Sequence, residues 1–158
     1  MKRALPTLAA LLLILLLLAA CSGGREQKPL PSPDQLARTL LDSSVFSDEL
    51  EAADADIAAY LYGLTETPGV ELSSWLSSGA TAEEFTLFIC ADDDALKAVR
   101  DSVDARLEFQ KRTFSDYAPE EAGKLDKAVV RVRENVVAVC VAADAEKAAK
   151  LLAPYFPG

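Results

Sequence analysis

Arg106, Gln110 and Tyr117 are the residues of this sequence best suited to grip a polar ligand. Arg106 and Gln110 are four positions apart, one turn of a helix, so their side chains would be neighbours. Tyr117 follows where that helix should end. A guanidinium, an amide and a phenol on one edge can hold a carboxylate or a peptide backbone, the guanidinium through two parallel hydrogen bonds. The same residues also have a structural reading. Arg106 would then pair with a nearby acid, Gln110 would bond a loop carbonyl, and Tyr117 would pack its ring against a sheet.

Other chemistries are thinly represented. The 158 residues contain no histidine, which removes the usual general base, the usual zinc ligand and every histidine-containing triad. No phosphate-cradling glycine loop, metal-ligand spacing or serine elbow is present, and no cofactor is expected. Carboxylates are abundant. Glu83-Glu84 and Glu120-Glu121 are adjacent pairs, but neighbours in a strand point to opposite faces, so Glu83 and Glu84 should not converge. Both pairs read more simply as biasing local starts, a turn in the first case and a helix after Pro119 in the second. Asp92-Asp93-Asp94 lacks the spacing of a calcium loop and suits a helix start. Cys90 and Cys140 read as buried thiols acting as small hydrophobes. A disulfide is the alternative.

The elements that would position these groups follow from periodicity. Ser32-Pro33-Asp34-Gln35 has the pattern of a capping box with proline at the first helical position, and Leu36, Leu40 and Leu41 mark the apolar face behind it. A short helix is predicted over 55–62, ended by Gly63. Val70 to Leu76 and Glu84 to Ala91 read as strands. The second is apolar on both faces, as expected of a central strand covered on two sides. The longest helix should run from the aspartates to about Phe114, with Leu96, Val99, Val103, Leu107 and Phe114 on one stripe. Lys127 to Arg133 and Val136 to Ala142 suggest a hairpin around Glu134-Asn135, and Asp144 should cap a last amphipathic helix.

The predicted fold class is α+β: a small mixed or antiparallel sheet in the order β-β-α-β-β-α, one long helix packed on it, and short N-terminal helices. The face opposite that helix is expected to carry Trp75, Phe88 and Cys90, with Cys140 on the same face as Cys90. Such a face is too apolar to stay wet. It should be covered by the N-terminal helices or serve as an interaction surface, which makes Trp75 a further candidate binding residue.

The N-terminus has a different character. Met1-Lys2-Arg3 precedes an unbroken Leu, Ile and Ala run from Leu8 to Ala20, which ends in Leu18-Ala19-Ala20-Cys21. A charged start, an apolar middle and small residues before a cut site describe a secretory signal. Its final four residues look like a lipobox, in which the Cys21 thiol takes a diacylglyceryl group. The expected organisation is a signal over 1–20, a lipidated flexible tether over 21–32 and one globular domain over 33–158. Loss of Lys2 and Arg3 would leave 25 acidic residues against 14 of the 16 basic ones, a net charge of −11 in place of −9. That acidity opposes nucleic acid and suits either solubility or a cationic partner.

The lipobox, Arg106-Leu107-Glu108-Phe109-Gln110, Phe114 with Tyr117-Ala118-Pro119, and the Val136 to Val141 strand together resemble a family of Gram-positive-type lipoproteins whose domain has no assigned function. The resemblance runs from about Leu36 to Phe156. It implies a small surface-anchored α+β domain with a glycine-containing hairpin turn, where this chain has Glu134-Asn135. Two functional readings follow. The first is a non-catalytic binding module, held by the Cys21 lipid on the outer face of a membrane, with an envelope protein or small ligand as partner. The alternative is a carboxylate-based hydrolase or wall-modifying enzyme at the cell envelope.

Overall fold

The computed structural model describes residues 28–157; the expected signal, Cys21 and the start of the tether lie outside them. Helix α1 (Pro33–Leu41) opens as its sequence demands. The Ser32 hydroxyl accepts from Gln35 N at 3.3 Å and the Gln35 side chain accepts from Ser32 N at 3.2 Å, so two otherwise orphaned donors are satisfied. Strand β1 (Glu51–Ala53) and helix α2 (Ala55–Leu61) follow. Gly63, at φ +67°, then takes the left-handed turn that a side chain would disfavour.

Strands β2 (Val70–Leu76) and β3 (Glu84–Cys90) precede the long helix α3 (Asp93–Ser115). The Asp92 carboxylate accepts from Ala95 N at 2.8 Å and caps α3, with Asp93 and Asp94 in its first turn. The short helix α4 (Pro119–Leu125), the hairpin β4 (Val129–Arg133) and β5 (Val136–Val141), and helix α5 (Ala145–Leu152) complete the described chain. The fold is α+β with a wholly antiparallel five-stranded sheet, in the order β1-β2-β3-β5-β4. β1 was not expected, because three residues are too few to show a period.

Both faces of the sheet are covered, as the apolar pattern of β3 requires. On one face Phe88, Cys90, Val137 and Val139 pack beneath Val99 and Val103 of α3 and beside Tyr62. On the other, Trp75, Phe85, Leu87, Ala138 and Cys140 lie under Leu36 and Leu40 of α1, Ala148 and Leu152 of α5, and Phe156. A third cluster joins Phe114 to Ala118, to Ala122 and Leu125 of α4, and to Val141.

This arrangement corrects the expected face assignment. Phe88 and Cys90 lie under the long helix, whereas Trp75 is on the opposite face. Trp75 is paired with Phe85 in the β2–β3 register, and the two rings stack with centroids 5.7 Å apart. Alternation says which residues of one strand share a face. Which face of one strand matches which face of the next depends on the register that the connection sets. The same parity separates the cysteines: Cys90 faces α3 and Cys140 faces α1 and α5, both as buried free thiols. Burial, followed by the charges of Glu84 and Glu83, pushes the Cys140 thiol up to about 12.

Candidate functional site

Glu84 begins a strand that is buried along both faces except at Ile89. Its side chain points to the α3 face, on the same parity as Thr86 and Phe88, and is almost wholly buried. A carboxylate buried this way is costly to ionise unless it is paired and hydrogen-bonded. Arg106 meets it from α3. Arg106 Nη2 donates to Glu84 Oε2 at 2.5 Å, and Nε reaches both carboxylate oxygens at 3.1 and 3.2 Å. The Tyr62 hydroxyl donates to Glu84 Oε1 at 2.7 Å, and the Arg106 guanidinium lies 4.7 Å from the centre of the Tyr62 ring. Burial, then the Glu84 charge, push the Tyr62 phenol well above its usual value. Burial works against the charge on Arg106, but Glu84 overrides it and holds the guanidinium's pKa above its ordinary range.

This cluster also ties α2 to α3. The Ser102 hydroxyl donates to the Tyr62 carbonyl, and Arg106 Nη1 reaches the Leu61 carbonyl at 3.4 Å. Arg106 is thus turned inward and fully engaged. Gln110, one turn on, has a buried Oε1 with no hydrogen-bond donor among the described residues. Tyr117 is exposed, its ring tilted over Phe114 at 5.4 Å. Trp75 is buried in the other core.

Glu83 turns away from Glu84, as adjacency requires, and builds a second cluster. It was expected only to bias a turn. Instead its carboxylate accepts from Ser47 N at 2.8 Å, Asp48 N at 2.9 Å and the Ser47 hydroxyl at 2.8 Å. Lys124 of α4 completes the shell, with Nζ 2.9 Å from Glu83 and 2.8 Å from Glu121. Glu121 also accepts from Ala82 N at 2.9 Å. Two buried carboxylates therefore share one ammonium. Burial opposes ionisation of Glu83, but Lys124 and the Asp48 and Ser47 donors outweigh it and hold the carboxyl below its usual value. Glu120 keeps the expected place in the first turn of α4, whereas Glu121 turns inward. The available signal for these buried acids was position: Glu83 and Glu84 directly precede a run with no polar face to receive them.

The surface beside the first cluster is apolar. α2 buries only Ala58 fully and leaves Ile57 54%, Tyr60 77% and Leu61 40% exposed. Phe109 of α3 is 62% exposed. It is seven residues, two helical turns, beyond Ser102. Among the described residues, no group of three or more His, Cys, Asp or Glu side chains is placed to hold a metal ion, and no helix is long and apolar enough to cross a membrane.

Residues 43–142, more than half of the chain, match a domain of unknown function, DUF4358. The chain belongs to this family. No curated protein and no solved structure matches it. The DUF4358 segment contains the whole sheet, α2, α3, α4 and every member of both ionic clusters. Helices α1 and α5, which cover the Trp75 face, fall outside the matched residues.

Proposed function

We propose that this DUF4358 protein is a lipoprotein anchored through Cys21 on the outer face of a membrane, and that its domain binds a partner without transforming it. The anchor rests on Leu18-Ala19-Ala20-Cys21 at the end of an apolar run. Two acyl chains on the mature cysteine would hold firmly where one would not, since each buried methylene contributes about 0.8 kcal/mol. The binding reading rests on the state of the buried acids: Glu84 is taken by Arg106 and Tyr62, and Glu83 and Glu121 by Lys124 and backbone N–H groups. The alternative, a carboxylate-based hydrolase, draws on the convergence of Glu83 and Glu121 on one lysine, beside a shallow hollow lined by Gly123, Lys124, Lys127 and Ala142.

Labelling with radioactive fatty acid tests the anchor. The native chain should take label and Cys21→Ala should not; equal labelling of both sinks the lipoprotein reading. The lipid-anchored chain should then retain a component of the envelope fraction without degrading it. Release of soluble wall fragments by the native chain and not by Glu121→Gln would favour the hydrolase.

A further inference from the structure

We infer that this domain stands on its membrane with the Arg133 end of the sheet toward the lipid, and that the partner of that end is the anionic phosphate layer of the headgroups. The inference rests on the Cys21 anchor and deepens it. It says which end of the domain the lipid holds down and which end it leaves free.

The first argument is where the chain is pinned. Lys28 N donates to the Pro154 carbonyl at 3.2 Å. Arg133 Nη1 donates to the Lys28 carbonyl at 2.7 Å and to the Tyr155 carbonyl at 3.1 Å. Leu30 packs against the core that holds Trp75. The segment before α1 therefore belongs to the domain from Lys28 onward. Lys28 is seven residues from Cys21. Fully extended, seven residues span at most about 25 Å. A domain of about 130 residues has a radius of gyration of about 14 Å and is about 36 Å across. The covalent path is shorter than the domain, so Lys28 cannot lie on the side away from the lipid. Had the path run to Pro33, about 40 Å of chain would have permitted any orientation. The sheet register then assigns the two ends. Arg133 pairs with Val136, and Val136 with Ile89. Glu84 begins the same strand, about 17 Å away along it. Both ionic clusters grow from Glu83 and Glu84, and so sit toward the end that the anchor leaves free.

The second argument is charge. Arg131 and Arg133 are two positions apart on β4, an edge strand, and share the face toward α1 and α5, opposite Ala138 and Val136 of that core. Lys28, bonded through its carbonyl to Arg133, adds a third cation. Among the described residues none of the three forms an ion pair. Glu134 is the acid beside Arg133, so the pinned end keeps a positive excess. The whole chain, by contrast, carries −9. Basic side chains close to a lipid surface are drawn to its phosphates, whereas an acidic surface is repelled.

The test uses the full lipidated chain in vesicles of phosphatidylglycerol and phosphatidylethanolamine, some headgroups carrying a nitroxide quencher. A fluorophore is attached at Ala153→Cys, beside the Pro154 contact, or at Ala80→Cys, in the connection before Glu83. Both positions are exposed, and Cys90 and Cys140 are buried away from the reagent. The label at position 153 should lose more than half of its emission, and the label at position 80 should lose little. Lys28→Gln with Arg131→Gln should reduce the loss at position 153, as should replacing phosphatidylglycerol by phosphatidylcholine. Equal quenching at the two positions, or stronger quenching at position 80, overturns the orientation. Quenching at position 153 that neither the double variant nor the lipid exchange diminishes overturns the headgroup contact. A native chain that does not float with the vesicles overturns the anchor and the inference with it. A chain that floats but is quenched equally at both positions overturns the inference alone and leaves the anchor standing.

Discussion

The Arg106 guanidinium lies 4.7 Å from the centre of the Tyr62 ring while both side chains bond the same Glu84 carboxylate. Three elements distant in sequence, the end of α2, the start of β3 and the middle of α3, meet at that triad. The long helix is thereby locked to the sheet at one level, and the C-terminal end of α2 meets the same cluster.

Removing one partner of this triad should cost more than removing two. Arg106→Met leaves the Glu84 carboxylate buried and unpaired, which should destabilise the fold by about 3–5 kcal/mol. Adding Glu84→Gln to that variant should recover a large share of the loss. Urea unfolding of the single and double variants measures the difference. A double variant less stable than Arg106→Met alone would contradict this account of the triad.

The Glu83 cluster should set the acid limit of stability. The folded carboxyl titrates below its ordinary 4.5, so its contribution is complete above that value and is lost as pH falls through the lowered one. Lys124 titrates above its ordinary 10.5, so its contribution is complete below that value and is lost as pH rises through the raised one. Glu83→Gln should lower stability at neutral pH and flatten the acid limb. Thermal unfolding from pH 3 to pH 7 reads both effects. An acid limb unchanged in the variant would place the proton uptake elsewhere.

The β4–β5 turn holds a correctable strain. Glu134 has φ +53° at the first of the two turn residues, a conformation that favours glycine. Its backbone pays for a left-handed conformation that a Cβ disfavours. Glu134→Gly should stabilise the domain by about 0.5–1 kcal/mol and raise Tm by a few degrees. The Asn135 side chain donates to the Cys90 carbonyl at 2.7 Å and should keep the turn in register. Differential scanning calorimetry on the two chains decides the sign.

Much of this protein could be read along the chain. The Ser32 capping box, the Asp92 cap of α3, the Val70–Leu76 strand and the two-sided burial of β3 all appear as their residues imply. Each depends on interactions within a few positions, where periodicity and capping chemistry act directly. Tertiary structure decided what those signals leave open. Residues 77–83 connect β2 to β3 in a register that pairs Trp75 with Phe85, and so moved Trp75 off the face of Phe88. The same parity put Cys90 and Cys140 on opposite sides of the sheet. Arg106 had a ligand-gripping and a structural reading until Glu84, 22 residues earlier, arrived beneath it. Glu83 found Lys124 across 41 residues, and no local pattern specifies such a meeting. Strand parity and buried ion pairs are set by which distant segments close on one another, and the chain reports only the residues available for that closure.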